Sequence, residues 1–232
     1  MKKYTHLFLI LFVIVFTSCE DNSGDYIEQM CTNAEMNSAI KSCLNVSKDT
    51  AINRLCRPDG FTDNELYRIS LPAALQPVQD TLTAHGKGYL VDTLIVKINQ
   101  CCESMGNDLT TAFTSNIGSI TVADPASLIT GNNHAITNYH YINYNNSLAT
   151  AISANFTTKL NTTGAMSCLN EMMIEYNNYT NNTVSADLPT YVINSCLTAI
   201  YQEMIKEEEL IRTDKQHRVT DILQKVFGKL VE

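Results

Sequence analysis

Glycine and proline are scarce in this chain, nine and five residues among 232. In a helix interior they cost ~1 and ~3 kcal/mol relative to alanine. Their rarity leaves few enforced breaks and points to long helices gathered into one unit. No run of alternating apolar and polar residues is long enough to build a sheet. There is no basic run, and 24 acidic residues outnumber 16 basic ones, which argues against a phosphate-tracking surface and so against nucleic acid as a partner. G-x-S-x-G, H-E-x-x-H and a phosphate-cradling glycine loop are all missing, and Gly86-Lys87-Gly88 reads as a helix stop and restart. There is no Cys-x-x-Cys pair, and the adjacent Cys101 and Cys102 would splay apart on a helix, which disfavours a metal site. The expectation is a protein without catalytic, cofactor-binding or metal-ligating residues, and not an enzyme.

The strongest motif lies at the amino terminus. Lys2 and Lys3 precede ten apolar residues, Leu7 to Phe16. As a helix this run reaches ~15 Å, half the ~30 Å hydrocarbon core of a bilayer, so it suits the apolar core of a secretory signal peptide. It ends in Phe16-Thr17-Ser18-Cys19, which resembles the lipobox of bacterial lipoproteins. The resemblance implies a diacylglycerol on the Cys19 thiol, cleavage before it, and acylation of the new amine by a palmitate-type chain. Several acyl chains make a durable anchor where one is marginal. The expected organisation is a signal peptide over residues 1–18, an acidic tether over 19–26 carrying Glu20, Asp21 and Asp25, and a helical domain over 27–232. The expected location is the bacterial cell envelope, anchored to membrane through lipid on Cys19, on an outer-membrane, periplasmic or surface face. Loss of the leader leaves 14 basic residues (16 less two) against 24 acidic, a formal charge of −10. The remaining ~205 residues suffice for a sizeable core.

Cys31, Cys43, Cys56, Cys101, Cys102, Cys168 and Cys196 remain once Cys19 is committed to lipid. Seven is odd, so at least one thiol stays free or pairs between molecules. Most sit where helical spacing wants a small apolar side chain, and two readings stand: buried free thiols, or one or more inter-helix disulfides.

Helical spacing predicts a helix over 27–56, with a possible interruption at Asn45-Val46-Ser47. An ordered loop follows over 57–72, pinned by Phe61, Leu66 and Ile69, then a short helix from Leu71 to Ala84. The longest stripe, Leu90, Leu94, Ile98, Cys101, Met105, Leu109, Ala112 and Phe113, predicts one helix over 89–117. Thr121 to Asp124 resembles a capping pattern opening a short helix that ends by Gly131. Helices are expected over 133–160, 165–176 and 189–212, with a flexible polar loop over 177–187. A last amphipathic helix would place Val219, Ile222, Leu223, Val226, Phe227 and Leu230 on one core-facing side. The fold expected is all-α, a single multi-helix, bundle-like domain behind a lipidated tether.

Asp59-Gly60-Phe61, Leu71-Pro72 with Leu75, Leu90-Val91-Asp92, ITVADPASLITG (Ile120 to Gly131), AITNY (Ala135 to Tyr139), MIKEEELIR (Met204 to Arg212) and LQKVFG (Leu223 to Gly228) follow in this order. Together they resemble the bacterial domain-of-unknown-function family 4197 over residues 37 to 228. Pro125 and His140 depart from the residues common there. The resemblance implies exported helical proteins with no assigned reaction, and carries over no catalytic residue.

Glu203, Glu207, Glu208 and Glu209 invite a paired-carboxylate reading, but the expectation is a solvated acidic face. There Glu208 and Arg212 form an i,i+4 surface pair worth ~0.2–0.5 kcal/mol. His134 and His140 lie about 240° apart on a helix and cannot share a metal. Tyr139, Tyr141 and Tyr144 are read as packing and surface residues. The functional expectation is an envelope protein with a structural role or an unknown protein partner. The alternative is a helical pocket for an apolar small molecule or lipid.

Overall fold

The computed structural model describes residues 23–230; the leader, Cys19 and residues 20–22 lie outside them. Among the described residues every regular element is helical: α1 Ser23–Met30, α2 Asn33–Leu55, α3 Gln76–Ala84, α4 Gly88–Glu103, α5 Gly106–Ser119, α6 Pro125–Ile129, α7 Ala135–Thr162, α8 Ala165–Tyr179, α9 Leu188–Thr213 and α10 Asp221–Phe227. Short 3-10 turns over Ala73–Leu75, Lys215–His217 and Gly228–Leu230 adjoin α3, α9 and α10. The all-α single domain read from the helical spacing is the fold the chain adopts.

Local chemistry sets the boundaries, and in two places it divides an expected helix. Thr32 Oγ1 accepts from the Glu35 N–H at 3.2 Å, while the Glu35 carboxylate accepts from the Thr32 N–H at 2.9 Å. This reciprocal cap starts α2 afresh, so the helix expected over 27–56 is two, and α1 already occupies residues 23–26 of the expected tether. The interruption considered at 45–47 does not occur; no glycine or proline stands there to force it. The helix expected over 89–117 breaks at Ser104 and Met105. Ser104 Oγ donates to the Cys101 carbonyl at 2.7 Å, and its N–H is shared between the carbonyls of Gln100 and Cys101. Gly106 then restarts the helix where a Cβ would stand 3.2 Å from the Cys56 Cβ. The stripe survives the break, because Leu90, Leu94, Ile98, Cys101, Met105, Leu109 and Phe113 are all buried and Ala112 is half-buried against them.

α2 and α9 pack along each other at the centre. α5, α6 and α10 pack on α2, α7 lies on α9 and α5, and α8 covers α4 and α3. α10 buries Leu223, Val226 and Phe227 as expected. Val219 is the exception, 64% exposed, because Thr220 caps the helix one residue after it.

The loop between α2 and α3 has no regular structure until residue 73, yet two α4 side chains hold it. The Glu103 carboxylate accepts from the N–H groups of Phe61 and Thr62 at 3.1 and 2.8 Å. One turn earlier, Asn99 accepts from the Ile69 N–H at 2.8 Å and donates to its carbonyl at 2.9 Å. Asn37 clasps Val122 in the same way, accepting at 2.8 Å and donating at 3.1 Å. Such clasps satisfy backbone groups that burial would otherwise strand. Gly60 is required, since a Cβ there would stand 2.2 Å from the Leu55 carbonyl oxygen. Phe61 and Ile69 are buried as expected, but Leu66 is 66% exposed and pins nothing.

Candidate functional site

The acidic run on α9 is not the solvated face expected of it. Only Glu209 is exposed; Glu203, Glu207 and Glu208 are buried. The cause is partnering, in two separate clusters.

The Glu208 carboxylate accepts from the N–H groups of Ile136 and Thr137, at 3.0 and 2.7 Å, in the first turn of α7. It also accepts from Arg212 Nε and Nη2 at 3.0 and 2.8 Å. Arg212 turns its other donors to the end of α6, to the carbonyls of Leu128 and Ile129 at 2.9 and 2.7 Å. A helix start carries orphan N–H groups and partial positive charge, and a helix end the opposite. The ion pair therefore places its anion on the start of α7 and its cation on the end of α6. The Phe227 ring lies 5.2 Å from the guanidinium carbon. Four of the sequence blocks, Ile120 to Gly131, Ala135 to Tyr139, Met204 to Arg212 and Leu223 to Gly228, thus converge on one buried pair. With Glu208 0% and Arg212 8% exposed, the cluster fastens helices and leaves no room for a ligand.

The second cluster faces α2 and the loop ahead of α3. Tyr67 donates its hydroxyl to Glu203 at 2.7 Å, and Lys206 donates to the same oxygen at 2.7 Å and to the Tyr67 oxygen at 2.8 Å. Arg54 reaches the other Glu203 oxygen at 3.0 Å and comes within 3.7 Å of Glu207. His217 Nδ1 lies 2.6 Å from the remaining Glu207 oxygen. Burial pushes the Glu203 carboxyl up, but hydrogen bonds from Lys206, Tyr67 and Arg54 outweigh it and hold the group below its ordinary value. Hydrogen bonds to Glu203 and Tyr67 raise Lys206, and burial raises Tyr67. All three move away from neutrality, whereas acid–base catalysis wants a group near the working pH. At neutral pH Glu203 is held anionic, Lys206 cationic and Tyr67 as the neutral phenol that donates to Glu203.

The structure brings neither His134 nor Tyr139 to this cluster. His140 is buried on α7, stacked beside Phe113 and Tyr144, with Nδ1 2.8 Å from the Tyr201 hydroxyl and Nε2 unpartnered. Burial lowers it to about 4, so the ring is neutral. All seven described cysteines are free thiols, five of them buried, and the disulfide alternative is not what the structure contains. The Cys102 thiol faces Cys196, and burial raises Cys101 to about 12.

Two open grooves flank the outer face of α9 and share Thr198 and Gln202. One, about 470 Å³, lies against the pinned loop and is lined by Leu66, Tyr67, Arg68 and Tyr191. The other, about 160 Å³, lies against α7 and is walled by Tyr141, Tyr201 and Ile205. A third opening of about 500 Å³ between α5 and α7 is evenly polar and apolar, with Asp108, Asn116 and Asn155 beside Leu148 and Ile152 in its wall. Among the described residues no helix is long and apolar enough to cross a membrane.

Sequence reasoning missed Arg54 and Tyr67, and it placed His217 near a helix junction, where it lies, without seeing its partner Glu207. Arg54 and Tyr67 reach Glu203 across 149 and 136 residues, and no local spacing announces such partners. The model of a family described as protein of unknown function (DUF4197) matches residues 30–228. No curated protein and no solved structure matches the chain.

Proposed function

Since the chain belongs to the DUF4197 family of proteins of unknown function, we propose that it is a lipid-anchored cell-envelope protein whose helical domain docks a protein partner. The Phe16-Thr17-Ser18-Cys19 junction supports the anchor. The observation that carries docking is the pair of adjoining open grooves along α9. They combine an exposed Leu66, the aromatic rings of Tyr67, Tyr191, Tyr141 and Tyr201, and neutral polar groups at Thr198 and Gln202. Tyrosine beside short polar side chains gives large contact area at low entropic cost. The neighbouring charges of Glu203, Lys206 and Arg54 are already paired, while Arg68 in the groove wall is exposed and donates to the Thr62 carbonyl, so recognition rests on shape and apolar contact beside that one cation.

Intact mass of the mature protein tests the anchor. Diacylglycerol and acyl mass on Cys19 is expected, and Cys19→Ala leaves precursor or a released soluble form; an unmodified amino terminus elsewhere overturns it. For the partner, a photo-crosslinker at Gln202 in intact cells should capture one protein. That capture should fail with Leu66→Asp and persist with Ile174→Asp on α8. Capture indifferent to Leu66 removes the grooves from the interface.

The aromatic cleft between α7 and α9 favours a second reading, a small apolar ligand held against Tyr141, Tyr201 and Ile205. Such a ligand would raise the melting temperature with concentration, and Tyr201→Ala would abolish the rise.

A further inference from the structure

Two apolar side chains on α1 point away from the core beside the proposed anchor. Ile27 and Cys31 are buried against the domain, while Tyr26 and Met30, one turn apart, are 46% and 42% exposed. The helix is held from behind, where Lys229 donates to the Met30 carbonyl at 3.3 Å. α1 packs on α6 and on the 3-10 turn Gly228–Leu230. It is a fixed part of the domain, and the orientation of Tyr26 and Met30 is fixed with it.

Three residues, 20 to 22, separate Cys19 from the first residue of α1. Four Cα steps reach at most ~14 Å, and the headgroup layer on each side of a bilayer is ~5–8 Å deep. Even at full extension this tether lets the start of α1 stand only ~6–9 Å beyond the headgroup layer, and any slack brings α1 down onto it.

We propose that the Tyr26–Met30 face of α1 rests in the headgroup region of the membrane and sets the orientation of the whole domain. This rests on the anchoring reading above. Tyrosine suits that layer, with an apolar ring and a polar tip, and methionine adds a pliable apolar contact. Asp21, Asp25 and Glu28 bring negative charge to the same segment, so the fitting surface is zwitterionic lipid rather than anionic lipid. The lipid on Cys19 supplies attachment, and α1 supplies the seat.

The chain has no tryptophan, so Tyr26→Trp creates a single indole reporter at an exposed position. The full lipidated protein carrying it is reconstituted in phosphatidylcholine vesicles, with and without bromine on the acyl chains. The control is Ile174→Trp, on α8, which packs on α3, α4 and α7. The indole at position 26 should shift to shorter wavelength and lose most of its emission in brominated vesicles, while the one at 174 does neither. Adding Met30→Glu should reverse the shift without releasing the protein from vesicles. Equal quenching at 26 and 174, with lipid mass present on Cys19, overturns the seat and leaves the anchor standing. A blue shift that follows protein concentration and ignores brominated lipid assigns the face to a second copy of the chain and also overturns it. Lack of lipid mass on Cys19 overturns the anchor and the seat together.

Discussion

Arg212 satisfies carbonyls at the end of α6, pairs with Glu208 and stacks on Phe227. Removing Glu208 strands that guanidinium in the core together with two N–H groups of α7. Breaking a buried pair in this way costs ~3–5 kcal/mol, about tenfold the surface pair expected from the i,i+4 spacing. Denaturant midpoints should show Glu208→Ala strongly destabilised and Glu209→Ala, one residue on and exposed, near wild type. A Glu208→Met, Arg212→Met double variant should stay destabilised, because the helix ends lose their partners with the pair. His140 supplies a pH dependence. Its pKa falls from an ordinary 6.5 to about 4 in the fold, so the unfolded chain binds the proton more readily between those values. Stability contributed by the neutral ring is present above pH 6.5 and is lost as pH falls toward 4, to a total of ~3 kcal/mol. His140→Phe should flatten the acid limb over that window while losing a roughly constant amount at all pH for the orphaned Tyr201 hydroxyl. An unchanged slope in the variant would refute the assignment.

Among the elements, α10 gives the most direct test of packing. Phe227 is wholly buried, and Phe227→Ala should cost ~3–5 kcal/mol, a large share of a domain's usual margin. A midpoint matching wild type would refute the core role of this helix and make its apolar face a candidate docking surface. Helix existence was legible because apolar residues recur at helical spacing: the stripe from Leu90 to Phe113 is buried but for Ala112, which is half-buried. Where helices stop was less legible. The Thr32–Glu35 box stood in the sequence but was masked by the apolar residues on either side, and the break at Ser104 depends on a serine bonding back to its own helix. The buried carboxylates were misread for a different reason. A Glu-rich stretch looks the same whether water or helix ends receive it, and the N–H groups of Ile136 and Thr137 that bury Glu208 lie 72 and 71 residues away. Asn37 and Asn99 gave no signal either, since an asparagine that clasps a distant backbone has no local pattern.

For the molecule as a whole, thiol chemistry offers a count. Cys56 and Cys168 are half-buried and the other five described cysteines are buried, with burial raising the Cys56 thiol. An aromatic disulfide reagent should therefore label the native protein first at Cys168 and slowly at Cys56. Denaturant should release seven thiols if Cys19 carries lipid and eight if it does not; six or fewer would reveal a disulfide absent from this fold.

Because α2 closes on α9, no growing chain can complete its core before residue 213 has been made. At ~5–20 residues per second, α2 waits ~10–30 s for its partner. Through that interval Glu208 and Arg212 do not yet exist to fasten the α6–α7 junction. Nascent chains stalled before Leu188 should stay open to protease, and those released after Phe227 should resist it. A polypeptide that stays slack until its end emerges is still thin enough to thread through an export channel, which suits the destination proposed for it. The sequence distance between α2 and α9 acts as a timer.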